Sequence, residues 1–143
     1  MPAFVLDASI ALSWCFADEA SPETLGLLDR LETESAIVPE LWLLEVGNVL
    51  LGAERRGRIT QAGVTEFLNL LAALEIDVDA ETAMRADREI LTLAREHRLT
   101  TYDASCLELA MRLGLPLASK DQPLREAAEK LGLTILPALN ANS

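Results

Sequence analysis

Apolar residues follow two kinds of pattern along this chain. Short runs dominated by apolar residues predict strands buried in a sheet, and they fall at 3–6, 36–38, 74–76, 115–118 and 134–136. Between the runs, apolar residues recur three and four positions apart, as in helices with one buried face. These positions are Leu25, Leu28 and Leu31, then Leu41, Trp42, Val46, Val49 and Leu50, then Val64, Phe67, Leu68 and Leu71, then Leu107, Ala110 and Met111. Alternating strands and helices predict an α/β fold, a single three-layer domain with a parallel sheet of about five strands flanked by helices.

Glycine and proline mark several predicted helix ends. Gly114 and Gly132 stand just past two helical segments, where a left-handed residue is needed, and Pro123 marks a helix start. No repeat, low-complexity tract or linker interrupts the pattern. We therefore expect one domain over 1–138 and a loose tail over 139–143.

Composition limits the possible partners. With 143 residues, 50% of them hydrophobic and 4% aromatic, the core must be aliphatic. The net charge of -11 opposes non-specific attraction to nucleic acid or anionic membranes. No apolar run approaches the ~20 residues of a membrane helix, and Asp7 interrupts the first run too early for a signal peptide. Cys15 and Cys106 form no CxxC pair and predict small core residues in a reducing cytoplasm, with a disulfide as the alternative.

Two aspartates follow predicted strands directly. Asp7 comes after the first strand, and Asp121 comes shortly after the fourth. In parallel sheets, ligands bind beyond the carboxyl ends of the strands, so both carboxylates are expected at one rim. The alternative is that each aspartate only caps a helix, because Asp is favoured at that position.

Glu45 lies within a predicted helix over 39–56. Leu41, Glu45 and Val49 are spaced by four and share one face, with Trp42 beside them. A carboxylate in an apolar stripe is costly unless it has a partner or a function. In the alternative, Glu45 lies at the edge of a broad stripe and reaches water. Asn48, three positions on, is expected to help line the same pocket.

Asp103 stands at the start of a predicted helix over 107–113. Thr100 and Asp103 have the spacing of a capping box, which is the structural alternative to a functional role. The helix N-terminus is positive, but a full carboxylate charge outweighs that half-charge and still attracts a cation.

A group of arginines ends the Glu45 helix. Arg55, Arg56 and Arg58 are expected to form a local phosphate-binding edge, or else to complete the helix C-terminus as cations.

Other catalytic chemistries lack their residues. His97 is the only histidine, and its place among charges at a helix end predicts a surface residue. The chain has no His/Cys zinc ligand set, no nucleophile elbow and no glycine-rich phosphate loop.

Four segments in order resemble one known family. They are Asp7-Ala8-Ser9, the run 39–48 that contains Glu45, the run 99–104 that contains Asp103, and the run 115–121 that ends at Asp121. Together they resemble the PIN-domain family, and more closely the VapC-type toxins of prokaryotic toxin–antitoxin pairs. The resemblance puts Asp7, Glu45, Asp103 and Asp121 on the family's acidic site, with Ser9, Asn48 and Ser119 at supporting positions. Ser119 stands where Thr is frequent in the family, and Cys106 where an aromatic residue is frequent.

The resemblance implies a metal-dependent endoribonuclease. Clustered carboxylates repel one another, and a hard divalent cation such as Mg²⁺ or Mn²⁺ relieves the repulsion. Asp7 and Asp121 are the expected direct ligands, while Asp103 and Glu45 would ligate the ion or position water. The resemblance also implies a homodimer and a cognate antitoxin whose basic segment blocks the acidic site, a partner that suits the negative charge.

Two alternatives come from other functional classes. A receiver-type phosphoacceptor domain is also a small α/β protein, but it predicts a further acidic pair after the first strand and a phosphorylatable Asp ending the third. Here Asp77 and Asp79 stand near the third strand without a matching turn signal. The other alternative is a catalytically inactive binding module that uses the PIN fold as a scaffold.

Overall fold

The structure, a computed structural model, describes residues 1–138, so the predicted tail at 139–143 lies outside the described residues. Its strands are β1 (Phe4–Leu6), β2 (Ala36–Val38), β3 (Ile76–Val78), β4 (Leu117–Ala118) and β5 (Ile135–Leu136). They form one parallel sheet in the order β3-β2-β1-β4-β5. The predicted α/β fold with a five-stranded parallel sheet is confirmed.

Helices cover both faces of this sheet. They are α1 (Ala8–Ser13), α2 (Pro22–Arg30), α3 (Trp42–Arg55), α4 (Gln61–Ala72), α5 (Thr82–Arg85), α6 (Leu91–His97), α7 (Thr101–Leu113) and α8 (Gln122–Lys130), with a π-helical turn, Ala86–Ile90, between α5 and α6. Side chains alternate across a strand, so β1 serves two cores. Phe4 and Leu6 pack with α1 to α4, whereas Val5 packs with α7 and α8. Three layers result, with an aliphatic core on each side.

The strand order excludes the receiver-type alternative. From β1 the chain runs outward to β2 and β3, and then returns to place β4 on the other side of β1. Receiver domains have the order 2-1-3-4-5, in which β1 lies between β2 and β3. In the observed order the direction of winding reverses between β1 and β4, which is where doubly wound sheets bind ligands.

Most predicted boundaries agree with the structure, but the start of the third strand and the start of the helix predicted at 107–113, which begins at Thr101, do not. Gly114 and Gly132 have the expected left-handed conformation, with φ of 65° and 77°. The predicted strand at 74–76 begins instead at Ile76, because the Ile76 N–H donates to the Leu74 carbonyl at 3.0 Å and turns the backbone there. β3 is an edge strand, and its Val78 is 61% exposed. The apolar Leu74, which is partly buried, therefore precedes the strand and does not belong to it.

Two further findings concern membrane-spanning helices and the cysteines. Within residues 1–138, no helix is both long and apolar enough to cross a membrane. Cys15 and Cys106 are both free thiols, so the disulfide alternative is wrong.

A buried arginine holds the carboxyl ends of β4 and β5 together. Arg125, only 7% exposed, projects from α8 and donates to the Ser119 carbonyl at 2.7 Å. It also donates to the carbonyls of Leu136 at 3.2 Å and Pro137 at 2.8 Å. One guanidinium thus satisfies three carbonyls and fixes the loop that leads from β4 into α8.

Replacing this arginine should destabilise the fold. Arg125→Met keeps much of the packing volume but removes this donor from all three carbonyls, although the Leu136 carbonyl still accepts from the Ser119 N–H at 3.0 Å, so we expect a loss of about 2–4 kcal/mol in the free energy of unfolding. Urea denaturation followed by circular dichroism measures it, with Arg88→Met, at an exposed arginine of the π-helical turn, as the control. A loss as small as that of the control would contradict the role of Arg125.

Candidate active site

The pairing of β1 with β4 brings two aspartates to one rim of the sheet. Leu6 and Ala118 are register partners, and the Asp7 N–H extends the ladder by donating to the Ala118 carbonyl at 2.9 Å. Asp7 is the first residue after β1, and Asp121 follows β4 by three residues. Both carboxylates therefore lie at the point where the winding of the sheet reverses.

Asp7 is held by two serines. Its Oδ2 accepts hydrogen bonds from Ser9 Oγ at 2.6 Å and from Ser119 Oγ at 2.9 Å. The side chain is 2% exposed, and this burial raises its pKa, while the hydrogen bonds from both serines lower the pKa and the nearby Asp121 raises it. Cys106 Sγ lies 3.8 Å from Oδ1 on the buried side. Asp7 is thus a fixed carboxylate with little water around it.

The same serines connect the two loops. Ser9 Oγ accepts from the Lys120 N–H at 2.9 Å, and Ser119 Oγ accepts from the Asp121 N–H at 3.0 Å. The predicted supporting residues Ser9 and Ser119 therefore both contact Asp7 and also shape the backbone that presents Asp121.

Both aspartates also cap helices, as the structural alternative predicted. The Ser9 N–H donates to Asp7 Oδ2 at 3.4 Å at the start of α1, and the Leu124 N–H donates to Asp121 Oδ2 at 3.1 Å at the start of α8. Capping by Asp121 involves one oxygen only. The cap orients the carboxylate and is compatible with a second role for it.

Glu45 and Asp103 approach from the helices. They lie in the first turns of α3 and α7 and are half-buried. The pKa of Glu45 is raised to about 7, first by burial and then by the charges of Asp7 and Asp103. The pKa of Asp103 is raised to about 6 by burial and by Asp7 and Asp121. The four carboxylates thus act on one another as members of one electrostatic site.

The environment of Glu45 differs from the first expectation. The buried stripe of α3 is made by Trp42, Val46, Leu50 and Ala53. Leu41 is 53% and Val49 is 41% exposed, so the predicted apolar face through Leu41, Glu45 and Val49 is wrong. Glu45 lies at the edge of the stripe, as the alternative proposed. Its high pKa comes from partial burial, together with the charges of the neighbouring acids.

Thr100 leaves the Asp103 carboxylate available. Thr100 is the N-cap of α7, and its Oγ1 accepts from the Asp103 N–H at 3.1 Å. The threonine hydroxyl therefore supplies the cap that the sequence pattern predicted.

The acid cluster suits a divalent cation in its chemistry. Carboxylate oxygens are the donors that Mg²⁺ and Mn²⁺ prefer. Burial, and then the charges of neighbouring acids, raise the pKa values of Glu45 and Asp103. In the part of the chain that the structure describes, no three His, Cys, Asp or Glu side chains form a group that could hold an ion.

Asn48, which was expected to help line the acid site, is exposed on α3, and its side chain makes no hydrogen bond to residues 1–138.

The predicted arginines have three different environments. Arg55 is exposed at the end of α3. Arg56 lines a cavity of about 300 Å³ that also contains Ser9 and Asp121. Arg58 lines the same cavity and forms ion pairs with acidic residues of the loop after α1.

A fourth cation in this region, Lys120, was not predicted from the sequence. It lines the cavity beside Asp121. Its position between Ser119 and Asp121 is the only sequence signal that points to it.

Comparisons with known proteins agree with this architecture. A family model described as PIN domain matches residues 4–130. The crystal structure of PAE2754 from Pyrobaculum aerophilum is similar, with 25% identity, a TM-score of 0.69, and coverage of 94% of this chain and 91% of that one. The crystal structure of FitAcB from Neisseria gonorrhoeae shares the fold at 17% identity and a TM-score of 0.51, covering 92% of this chain and 95% of that one. No curated protein sequence matches the chain significantly.

The raised pKa of Glu45 makes stability depend on pH. The pKa is about 7 in the folded protein against 4.5 for the free group, so between these values the folded state holds more protons than the unfolded state. Stability of the metal-free protein should therefore fall as the pH rises from about 5 to about 8. Glu45→Gln should flatten this fall, whereas Glu66→Gln, at an exposed position of α4, should not. Thermal melting in EDTA gives the comparison, and parallel curves for the parent and Glu45→Gln would contradict the shift.

Proposed function

The chain belongs to the PIN domain family, and from this membership we propose that it is a metal-dependent endoribonuclease of the VapC type. PIN domains are generally nucleases that use divalent metal ions. The observation that carries the proposal is the meeting of Asp7 and Asp121 at the β1–β4 switch point, with Glu45 and Asp103 in electrostatic contact with them.

Each acid has a different part in this proposal. In this proposal Asp7 and Asp121 bind Mg²⁺ or Mn²⁺. Two serines hold the carboxylate of Asp7 and a helix cap holds that of Asp121, so both are oriented before the ion arrives. Asp103 completes the ligand set directly or through water. When bound, the ion supplies Lewis-acid activation of the scissile phosphate.

Glu45 is the proposed general base. A pKa of about 7 is close to the pH of reaction, which suits a group that accepts a proton from the attacking water. Its carboxylate takes that proton as the water oxygen bonds to phosphorus, while the bond from phosphorus to the leaving sugar oxygen breaks and that oxygen takes a proton from solvent. The four residues thus divide into a pair after the strand ends and a half-buried pair on helices.

The partners proposed for this nuclease follow from its charge and surface. A cognate antitoxin with a basic segment would cover the acid site and complement the net charge of -11. A homodimer would cover apolar side chains around α3, where Leu41 is 53%, Leu43 is 58% and Leu44 is 72% exposed. The same face continues to Tyr102, which is 52% exposed near Glu45.

The inactive binding module is the second candidate function. The lack of three acids already converged within residues 1–138 favours it. The cleavage assay below separates the two.

Purified protein should cleave single-stranded RNA with Mg²⁺ or Mn²⁺ and lose the activity in EDTA. The reason is that four acids, the proposed catalytic groups, interact at the switch point of the sheet. Gel analysis of labelled RNA measures the cleavage, with the Glu45→Gln protein, prepared identically, as the control for contaminating nuclease. Undiminished cleavage in EDTA would contradict the metal mechanism, and no cleavage under any metal condition would favour the binding module.

Substitution of Asp7 separates a metal ligand from a helix cap. Asp7→Asn keeps the shape and the cap while it removes a buried charge, so metal-free stability should stay unchanged or rise by about 1 kcal/mol. Cleavage should be lost, and the stabilisation by excess Mn²⁺ seen in the parent should largely disappear. Thermal melting with EDTA and with Mn²⁺ gives both values.

The matched control for this test is Asp29→Asn, at an exposed position of α2, which should retain activity and the full Mn²⁺ shift. An Asp7→Asn protein that still cuts RNA and melts with the parent's Mn²⁺ shift would show that Asp7 is only a cap.

A further inference from the structure

Three cations contribute to the lining of one cavity beside the acid site. It has a volume of about 300 Å³, at the lower end of cavities that bind small ligands (about 300–1,000 Å³). Ser9 and Asp121 form its border with the acid site, and its walls are lined by three cations, Arg56, Arg58 and Lys120, by Glu19, which pairs with Arg58, and by Phe16 with three further apolar residues. We call it the basic cavity. In a chain of net charge -11, a group of three cations at the border of four acids is unexpected on composition alone.

The guanidinium of Arg58 lies over an aromatic ring. Its guanidinium carbon lies 4.1 Å from the centre of the Phe16 ring. Asp18 accepts from Nη2, and Glu19 accepts from Nη1 at 2.8 Å, so the plane is held from both ends. Phe16 is only 7% exposed, whereas the Arg58 side chain is 36% exposed. The surface offered to the basic cavity is therefore a fixed guanidinium plane whose charge is already balanced by two carboxylates.

Arg56 and Lys120 provide the charge that Arg58 does not. Within residues 1–138, neither of them forms an ion pair. Lys120 Nζ donates to the Glu19 main-chain carbonyl at 2.8 Å, which positions the ammonium group and leaves its charge uncompensated. The basic cavity thus combines a flat stacking surface with two free positive charges.

We propose that the basic cavity is a subsite for one nucleotide of single-stranded RNA adjoining the scissile phosphate, with its base stacked on Arg58 and its phosphate bound by Arg56 and Lys120. This inference rests on the proposed ribonuclease function. Bases of single-stranded RNA stack on arginine planes, and phosphates pair with free cations. A basic antitoxin segment would be repelled by Arg56 and Lys120, so the cavity suits the RNA better than that partner. The arrangement lets a strongly acidic protein bind a polyanion through one local contact.

The phosphate contacts are tested by the salt dependence of binding. The probe is a fluorescein-labelled single-stranded RNA of about twelve nucleotides, measured by anisotropy in EDTA between about 50 and 200 mM KCl. Arg56→Gln and Lys120→Gln should each weaken binding and reduce the slope of log K against log salt by about 0.7. Arg55→Gln is the matched control, because this neighbouring exposed arginine does not line the basic cavity, and it should keep the parent slope.

The stacking contact is tested with an abasic oligonucleotide of the same length and charge. The parent should bind RNA about fivefold or more tightly than the abasic strand, and Arg58→Lys, which keeps the charge but loses the plane, should reduce this preference. Arg30→Lys is the control. Arg30 also pairs with a glutamate, Glu34 at 2.9 Å, and lies 5.1 Å from the Phe4 ring, at the opposite end of β1 from Asp7. It should keep the full preference.

The outcomes separate this subsite from the function on which it rests. An Arg55→Gln slope reduced as much as that of Arg56→Gln, or an unchanged base preference in a folded Arg58→Lys protein, would overturn the subsite and leave the ribonuclease proposal standing. RNA that is cleaved with Mn²⁺ but shows no dependence on Arg56 or Lys120 would do the same. Absence of both RNA binding and cleavage in the parent would overturn the ribonuclease itself. If melting shows that Arg58→Lys is unfolded, the exposed Arg56 and Lys120 still decide the proposal.

Discussion

Parallel pairing of β1 with β4 is the contact on which the rest of the site depends. The two strands are short, three and two residues, yet their register fixes where Asp7 and the loop to Asp121 leave the sheet. The hydrogen bond from the Asp7 N–H to the Ala118 carbonyl continues this pairing to Asp7, the first acid of the candidate site. Ser9 and Ser119 then join the two loops across the same gap. A shift of one residue in this register would turn Asp7 to the other face of the sheet.

The acid cluster opposes the stability of the fold that carries it. Burial and mutual repulsion raise the pKa of Asp7, Glu45 and Asp103, so the ionised site destabilises the metal-free protein. Aliphatic packing on both faces of the sheet compensates for this cost. The same strain favours a bound cation, because each carboxylate that an ion neutralises removes repulsion from the others. The proposed metal binding and the lower stability of the metal-free protein therefore have the same electrostatic cause.

Sequence patterns predicted the fold and the proximity of Asp7 and Asp121. The carboxyl ends of parallel strands lie at one rim of the sheet, so aspartates that follow such strands lie there too. They failed where the outcome depended on tertiary contacts. The buried face of α3 does not contain Leu41 and Val49, as had been predicted. Helical periodicity alone does not show which of two adjacent apolar stripes packs against the sheet. Arg58 was predicted to bind phosphate or to complete the end of α3, but its pairing with Asp18 and Glu19, some 40 positions away, leaves no trace in a local pattern. Lys120 was overlooked for the same reason.

The Arg125 clamp gives the fold a definite order of completion. Arg125 donates to the carbonyls of Leu136, the last residue of β5, and of Pro137, which follows it. Its third acceptor, the Ser119 carbonyl, belongs to the loop that presents Asp121. During synthesis the amino-terminal part of the chain leaves the ribosome first. Asp7 and its strand are therefore present long before the clamp closes. A chain that lacks residues 136 and 137 lacks two of the contacts that fix the Asp121 loop, so the acid site reaches its final geometry only after these residues have been added and have folded.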